Sequence, residues 1–243
     1  NLQDHLSVGV EYARRGRGPF PRRMRIDNIT REMAQAYFLG TGPATDLPGG
    51  VMGFIKSSQA REMPDIQILF RMAPVGLKPY WPLIQQPAND SFGPRAVLLR
   101  PTSRGSLELT STDPRAKMRI NQNFLATGAD IKLIREGVRM VREVCRQKPV
   151  QEFAAAELAP GPAAESDAEI DAHVRKIGAT AHHPLGTCKM GVDSDPDAVV
   201  DPECKLRGID GLRVVDAAVM PDLVGANINA TVIMIAEKMA DII

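Results

Sequence analysis

Apolar positions recur at spacings of three and four in some stretches and alternate with polar ones in others, which divides the chain into helices and strands. The strongest helical pattern spans 130–146, where Ile131, Ile134, Val138, Val141 and Cys145 form one stripe and Asp130 stands as the cap. Asp27 is expected to cap a helix through about Leu39, with Ile29, Met33, Ala36 and Tyr37 on one side and Gly40-Thr41-Gly42-Pro43 ending it. Ser166-Asp167-Ala168-Glu169 fits a capping box opening a helix to about Ile177. Ile233, Ala236, Met239 and Ile242 give 230–243 helical spacing. Short apolar runs flanked by breakers predict strands at 51–55 and 66–72. Residues 96–100 and 106–110 read as a hairpin, 117–120 as a short strand, and 212–215 as a short buried strand ending at Asp216. The Arg/Gly/Pro-rich 14–25 reads as a loop, the proline-rich 73–94 as a long surface loop, and the Ala/Pro/Gly-rich 154–165 as a linker.

Composition narrows the class more than the function. A chain of 243 residues, 44% hydrophobic and 24% charged, can bury a core without staples. Its 30 Lys+Arg against 29 Asp+Glu leave a net charge of +1, which gives no electrostatic footprint for nucleic acid. The local cluster Arg14, Arg15, Arg17, Arg22, Arg23 and Arg25 has a single aromatic residue, Phe20, threaded through it, too few for a base-stacking platform. It reads as a solvated loop or an interface. No apolar run is long enough to span a bilayer. Cys145, Cys188 and Cys204 are odd in number and far apart, with no CxxC pair, so neither a disulfide framework nor a zinc site is expected. A reducing, cytoplasmic setting fits that usage.

Gly-rich phosphate loops are missing: there is no GxGxxG and no GxxxxGK[ST]. Asp193-Ser194-Asp195-Pro196-Asp197 opens like a calcium loop but fails, with Ala198 where glycine is needed and Cys204 where a bidentate Glu is needed. No metal site is expected. The run His182-His183-Pro184-Leu185-Gly186-Thr187-Cys188-Lys189-Met190-Gly191 is the most unusual local sequence. Pro184 keeps His183 out of a helix and Gly186 permits a sharp turn, so His183 is either a fixed acid–base group or a structural histidine. A second candidate joins Asp216-Ala217-Ala218 to Asn227-Ile228-Asn229-Ala230 at the start of the last helix. Asn229 is a natural helix cap whatever the function, whereas Asn227 is not needed for that role.

These blocks, taken together, resemble the C-terminal part of the glucose–methanol–choline (GMC) flavin oxidoreductases, most closely the choline-dehydrogenase-like alcohol dehydrogenases. Arg100-Pro101-Thr102-Ser103-Arg104-Gly105-Ser106-Leu107 and the opening Asn1-Leu2-Gln3-Asp4-His5 match further family blocks, so the likeness runs from first residue to last. The resemblance implies FAD and oxidation of a small-molecule alcohol by hydride transfer. It gives His183 the substrate hydroxyl proton and seats Asn227 beside it. It puts Asp216 and Ala217 near the flavin's phosphate and ribityl portion, and Ile228, Asn229 and Ala230 near its pyrimidine, where a helix N-terminus favours negative charge.

The fold class expected is α+β / α/β, an antiparallel-sheet substrate domain plus the C-terminal part of an FAD-binding α/β domain. Residues 1–177 would be the substrate-binding domain and 178–243 the flavin-domain portion. The family's FAD fingerprint has no counterpart here, so the abrupt Asn1 is expected to be a cut, with a missing N-terminal FAD-binding segment as partner. Two alternatives stand beside alcohol oxidation. One is a hydroxynitrile lyase on the same fold. The other is an inactive fragment or subunit that needs its N-terminal partner and forms a homo-oligomer through exposed apolar edges.

Overall fold

The computed structural model describes residues 1–45, 50–59, 62–73, 76–87 and 89–243. In chain order the elements are β1 (Leu6–Gly9), β2 (Glu11–Arg14), α1 (Pro19–Arg23), α2 (Ile26–Leu39), β3 (Val51–Ile55), β4 (Ile66–Arg71), β5 (Ser91–Leu98), β6 (Ser106–Glu108), β7 (Arg119–Asn121), α3 (Gly128–Cys145), α4 (Lys148–Gln151), β8 (Ala154–Ala159), α5 (Asp167–Ile177), β9 (Ala179–Thr180) and α6 (Asn229–Ala240). Among the described residues one antiparallel sheet runs β3-β4-β5-β1-β9, with β2 pairing both β5 and β8. One face of that sheet is the core. Leu6, Val8, Ile66, Ile68, Phe92, Ala96 and Leu98 pack there against Ile134, Val138 and Val141 of α3 and Ile170 and Val174 of α5. Alternation along the strands leaves the opposite face free for the site.

Gly137 sets how closely α3 approaches the sheet. A Cβ there would lie 3.1 Å from Ala96 Cβ and 3.1 Å from Ile66 Cδ1, both buried. Gly137→Val should therefore overpack this layer and cost about 1–3 kcal/mol. Denaturant unfolding of the full-length protein measures it, and an equal or greater midpoint would show that the layer has room.

Local signals hold where the element is self-contained. β3 falls on 51–55 as read, and α5 carries the capping box, with Ser166 accepting from the Glu169 N–H and the Glu169 side chain reaching back. Elsewhere the structure corrects the reading. Helix α3 starts earlier, with Thr127 as cap; the Asp130 carboxylate instead accepts from Thr102 N at 2.8 Å and Ser103 N at 2.9 Å, pinning the turn after β5. Helix α2 has Arg25 at its N-cap, and Asp27 sits in the first turn paired with Arg25 at 2.9 Å. The 14–25 loop holds the end of β2 and the short α1, whose Pro19 suits a helix start.

The 73–94 loop ends early, because β5 begins at Ser91 and passes through Pro94. Pro94 lies where the neighbour changes from β2 to β1 and the ladder is interrupted, a position that suits a residue with no N–H, and its carbonyl accepts from Val10 N at 2.9 Å. Pro74 of that loop, with Val75 and Ala88, lies outside the described residues. The expected 96–100/106–110 hairpin does not form: β5 pairs with β4, β1 and β2, while β6 pairs with β7. The 154–165 linker contains β8, alanine-rich and therefore weak as a strand signal, held by Arg142 to Glu157 at 2.7 Å. Residues 212–215 form no strand; Arg213 bridges only Lys205, and Leu212 is 47% exposed. Asn229 is the first residue of α6 and makes no side-chain cap, Ile228 taking the cap position. All three cysteines are free. Among the described residues no helix is long and apolar enough to cross a membrane.

Candidate active site

Three segments distant in sequence are knitted at one end of the sheet. The first strand extends backwards, so that Leu185 N donates to Gln3 O and Gln3 N to Leu185 O, each at 3.0 Å, and Ala181 N donates to His5 O at 2.9 Å. The following turn then ladders onto the Asp216 turn, with Cys188 N to Ala218 O at 2.9 Å and Met190 N to Val219 O at 2.8 Å. Gly186 makes the bend between them at φ 84°, and a Cβ there would strike Asn1 O at 2.7 Å. Gln3 is buried and its amide clasps the middle of the third segment, donating to Pro221 O at 3.1 Å and accepting from Leu223 N at 3.1 Å. The opening pentapeptide is thus the hub on which the His183 and Asn227 loops are mounted.

His183 is held at both backbone and ring. Its N–H donates to Asp4 Oδ1 at 3.0 Å, and the buried Asp4 also accepts from the Thr180 hydroxyl. Its ring Nδ1 lies 2.9 Å from Nδ1 of His5, the rings meeting edge-on. His5 is fully buried, and its Nε2 faces two carbonyl oxygens, Leu99 O at 3.2 Å and Val224 O at 3.1 Å. Carbonyls only accept, so Nε2 of His5 carries its hydrogen. Burial, with the neighbouring His183, lowers the His5 pKa to about 4, so the ring is neutral at pH 7. A neutral ring with hydrogen on Nε2 has a lone pair on Nδ1. The hydrogen between the rings therefore belongs to Nδ1 of His183, and Nε2 of His183 is left as a free base. Burial also holds the His183 pKa below the usual histidine value, the Asp4 charge opposing and His182 assisting.

Asn227 is exposed but oriented. The buried Gln67 amide on β4 donates to its Oδ1 at 3.1 Å, which uses the acceptor and turns the Nδ2 donor outward. His5 connects this loop to His183, because Val224, its carbonyl partner, is three residues before Asn227. Asp216 closes its own turn, accepting from Ala218 N at 2.6 Å, with Ala217 in the single 3-10 turn that follows. Ile228, Asn229 and Ala230 open α6. Its first intrahelical bond is Val232 N to Ile228 O at 2.9 Å, and the N–H groups of Asn229, Ala230 and Thr231 have no acceptor among the described residues.

The structure thus links the His183 and Asn227 loops at one end of the sheet through Gln3 and His5, with the Asp216 turn laddered onto the residues that follow His183. Sequence reasoning missed His5, Asp4 and Gln67 as site residues. His5 had one local signal, since the chain holds only four histidines and this one lies in a matched family block. Gln67 had none. A cavity of about 1330 Å³ lies elsewhere, walled by Arg17, Arg22, Arg25, Arg31 and Tyr80. Neither His183 nor Asn227 lines it.

Comparison with known proteins shows the family to which the chain belongs. The family model described as GMC oxidoreductase matches residues 101–236. The chain is 36% identical over 241 residues to oxygen-dependent choline dehydrogenase 1 of Chromohalobacter salexigens, covering 99% of this chain and 42% of that protein. It is 42% identical to the mitochondrial choline dehydrogenase of Mus musculus, covering 100% of this chain and 40% of that one. Among solved structures, pyridoxine 4-oxidase from Mesorbium loti superposes with a TM-score of 0.78 at 30% identity, covering 99% of this chain and 42% of that one. The chain thus spans about two fifths of the length of these relatives, 42% and 40% of the two dehydrogenases.

Proposed function

The chain belongs to the GMC oxidoreductase family, and from that premise we propose that the protein carrying it oxidises the CH–OH group of a small alcohol with FAD as cofactor. The observation that carries this reading is the His5–His183 contact, which leaves Nε2 of a neutral His183 as the one unengaged ring nitrogen of the pair. His183 takes the substrate hydroxyl proton at Nε2, and Nδ2 of Asn227 donates a hydrogen bond to the oxygen as negative charge develops on it. Asn227 stays neutral throughout and adds no competing charge. Gln67 keeps that donor aimed.

Residues 1–177 form the substrate-binding portion in this reading, and 178–243 contribute to the flavin domain. The donor set fits a flavin: three unspent N–H groups at the start of a 12-residue helix, beside the exposed Asn229, suit an electron-rich ring edge. Ile228, Asn229 and Ala230 would hold that edge, and Asp216 and Ala217 the phosphate–ribityl side. When bound there, FAD supplies the acceptor for the hydride released from the carbinol carbon. The remainder of the flavin site would come from an N-terminal segment with the family's FAD fingerprint.

The test is anaerobic mixing of the full-length flavoprotein with primary alcohols. Bleaching of the oxidised flavin absorbance is expected. A flavin that stays oxidised with every alcohol, while cyanohydrins are cleaved, would replace this reading with the lyase of the same fold.

A further inference from the structure

We propose that the alcohol carries an anionic oxygen group such as a carboxylate, separated from its hydroxyl by an apolar spacer, and that Arg95 seats that anion. This rests on the alcohol-oxidising reading and names its substrate class.

The face of the sheet opposite the core is identified by Gln67, whose side chain reaches Asn227. Strand alternation puts Leu69 and Arg71 on the same face. The register then fixes their neighbours. Gln67 stands opposite Val97 and Phe54, Leu69 opposite Arg95 and Met52, and Arg71 opposite Gly93. Each row is two residues further along the strand, so the Arg95 row lies about 7 Å beyond Gln67 and the Arg71 row about 14 Å beyond it. Starting from Asn227, the face therefore passes from an amide through the apolar Phe54, Met52 and Leu69 to a guanidinium. Met52 is 51% and Phe54 43% exposed, so this strip has open surface.

The guanidinium of Arg95, a half-buried residue, makes no hydrogen bond or ion pair among the described residues. The charge that acts on it is Arg71, of the same sign, and burial together with that neighbour disfavours its cationic form. A partly desolvated guanidinium with no partner of its own is unfavourable until an anion joins it. Glu11 shares the face, next to Tyr12 on β2, but its carboxylate accepts from the Ser91 hydroxyl at 2.7 Å and forms no ion pair with Arg95. A ligand with its hydroxyl at His183 and Asn227, its chain along Phe54 and Met52, and its anion at Arg95 satisfies each of these groups in turn.

The experiment uses the full-length flavoprotein, wild type and Arg95→Met. Steady-state kinetics compare primary alcohols of one chain length ending in methyl, carboxylate or trimethylammonium, and flavin absorbance is titrated with the simple alkanoate of that length. Wild type should favour the carboxylate in kcat/KM. In Arg95→Met the carboxylate-to-methyl ratio should fall about 10- to 100-fold, the range for losing a charge-assisted hydrogen bond, and alkanoate binding should weaken alongside. Arg95→Lys, which keeps the charge, should recover part of both. Oxidation of the methyl-ended or cationic alcohol with equal or greater efficiency by wild type, with alkanoate binding indifferent to Arg95, would overturn the anion seat and leave alcohol oxidation standing. Alkanoate binding that depends on Arg95 in a protein that oxidises no alcohol would support the seat and sink the redox reading instead.

Discussion

His183→Ala in the full-length protein is expected to lower kcat by about 10²- to 10⁴-fold, the range for removing a positioned general base. Flavin content should change little, because the side chain is only half-buried, while the unfolding midpoint should drop modestly, because the fully buried His5 loses the donor to its Nδ1. Its pH dependence follows from the same geometry. Burial keeps the His183 pKa below the ordinary histidine value of 6.5, so the ring is neutral at pH 7. Activity needs the neutral base. The wild-type kcat/KM should therefore be flat through neutrality and fall as pH drops through a midpoint below 6.5. The alanine variant should lose that inflection along with the rate. Turnover within a few-fold of wild type, or an unchanged acid limb, would remove His183 from the proton's path.

What was legible in the sequence is what local chemistry determines. The β3 run, the Ser166–Glu169 box and the apolar stripe of α3 each specify an element from within a few residues, and each formed. Partners are another matter. Ser106–Glu108 alternates correctly as a strand, yet nothing in it says whether it pairs with what precedes or with Arg119–Asn121. Four of the six residues of β8 are alanine, and the Arg142–Glu157 pair and the edge of β2 hold it as a strand. The site follows the same rule. His183 and Asn227 stand in motifs that resemblance can read. The groups that set their chemistry are far off in sequence: His5 lies 178 positions from His183, and Gln67 lies 160 from Asn227. Backbone pairing of the first residues with the His183 segment and the seating of the Asn227 loop against β4 bring them together, so the tautomer of the base cannot be read from either motif alone.

That tautomer is itself open to test through His5, which acts on the reaction only through its neighbour. In His5→Leu the Nδ1–H of His183 has no acceptor, and the hydrogen is free to move to Nε2, where it blocks the base. Holding a catalytic imidazole in the wrong tautomer costs up to about 10⁴-fold in the serine-protease triad, and about 10²-fold or more is expected here. His5→Asn separates this from mere disruption. Its side-chain oxygen can replace Nδ1 as acceptor, while the short amide gives up the reach to Leu99 and Val224. A positioning role predicts that Asn recovers much of kcat lost with Leu; a purely structural role predicts that the two are equally poor. The ¹⁵N shifts of His183 should report hydrogen on Nδ1 in wild type and His5→Asn, and on Nε2 in His5→Leu. Stability gives an independent reading. The folded-state pKa of His5 is depressed to about 4, so between 6.5 and 4 the unfolded chain binds a proton that the folded one refuses. Stability from this residue is complete above pH 6.5 and is lost as pH falls toward 4, by on the order of 3 kcal/mol. His5→Leu should flatten that limb. If its unfolding midpoint still follows pH as wild type does, His5 is not the buried neutral ring on which the assignment of the free Nε2 depends.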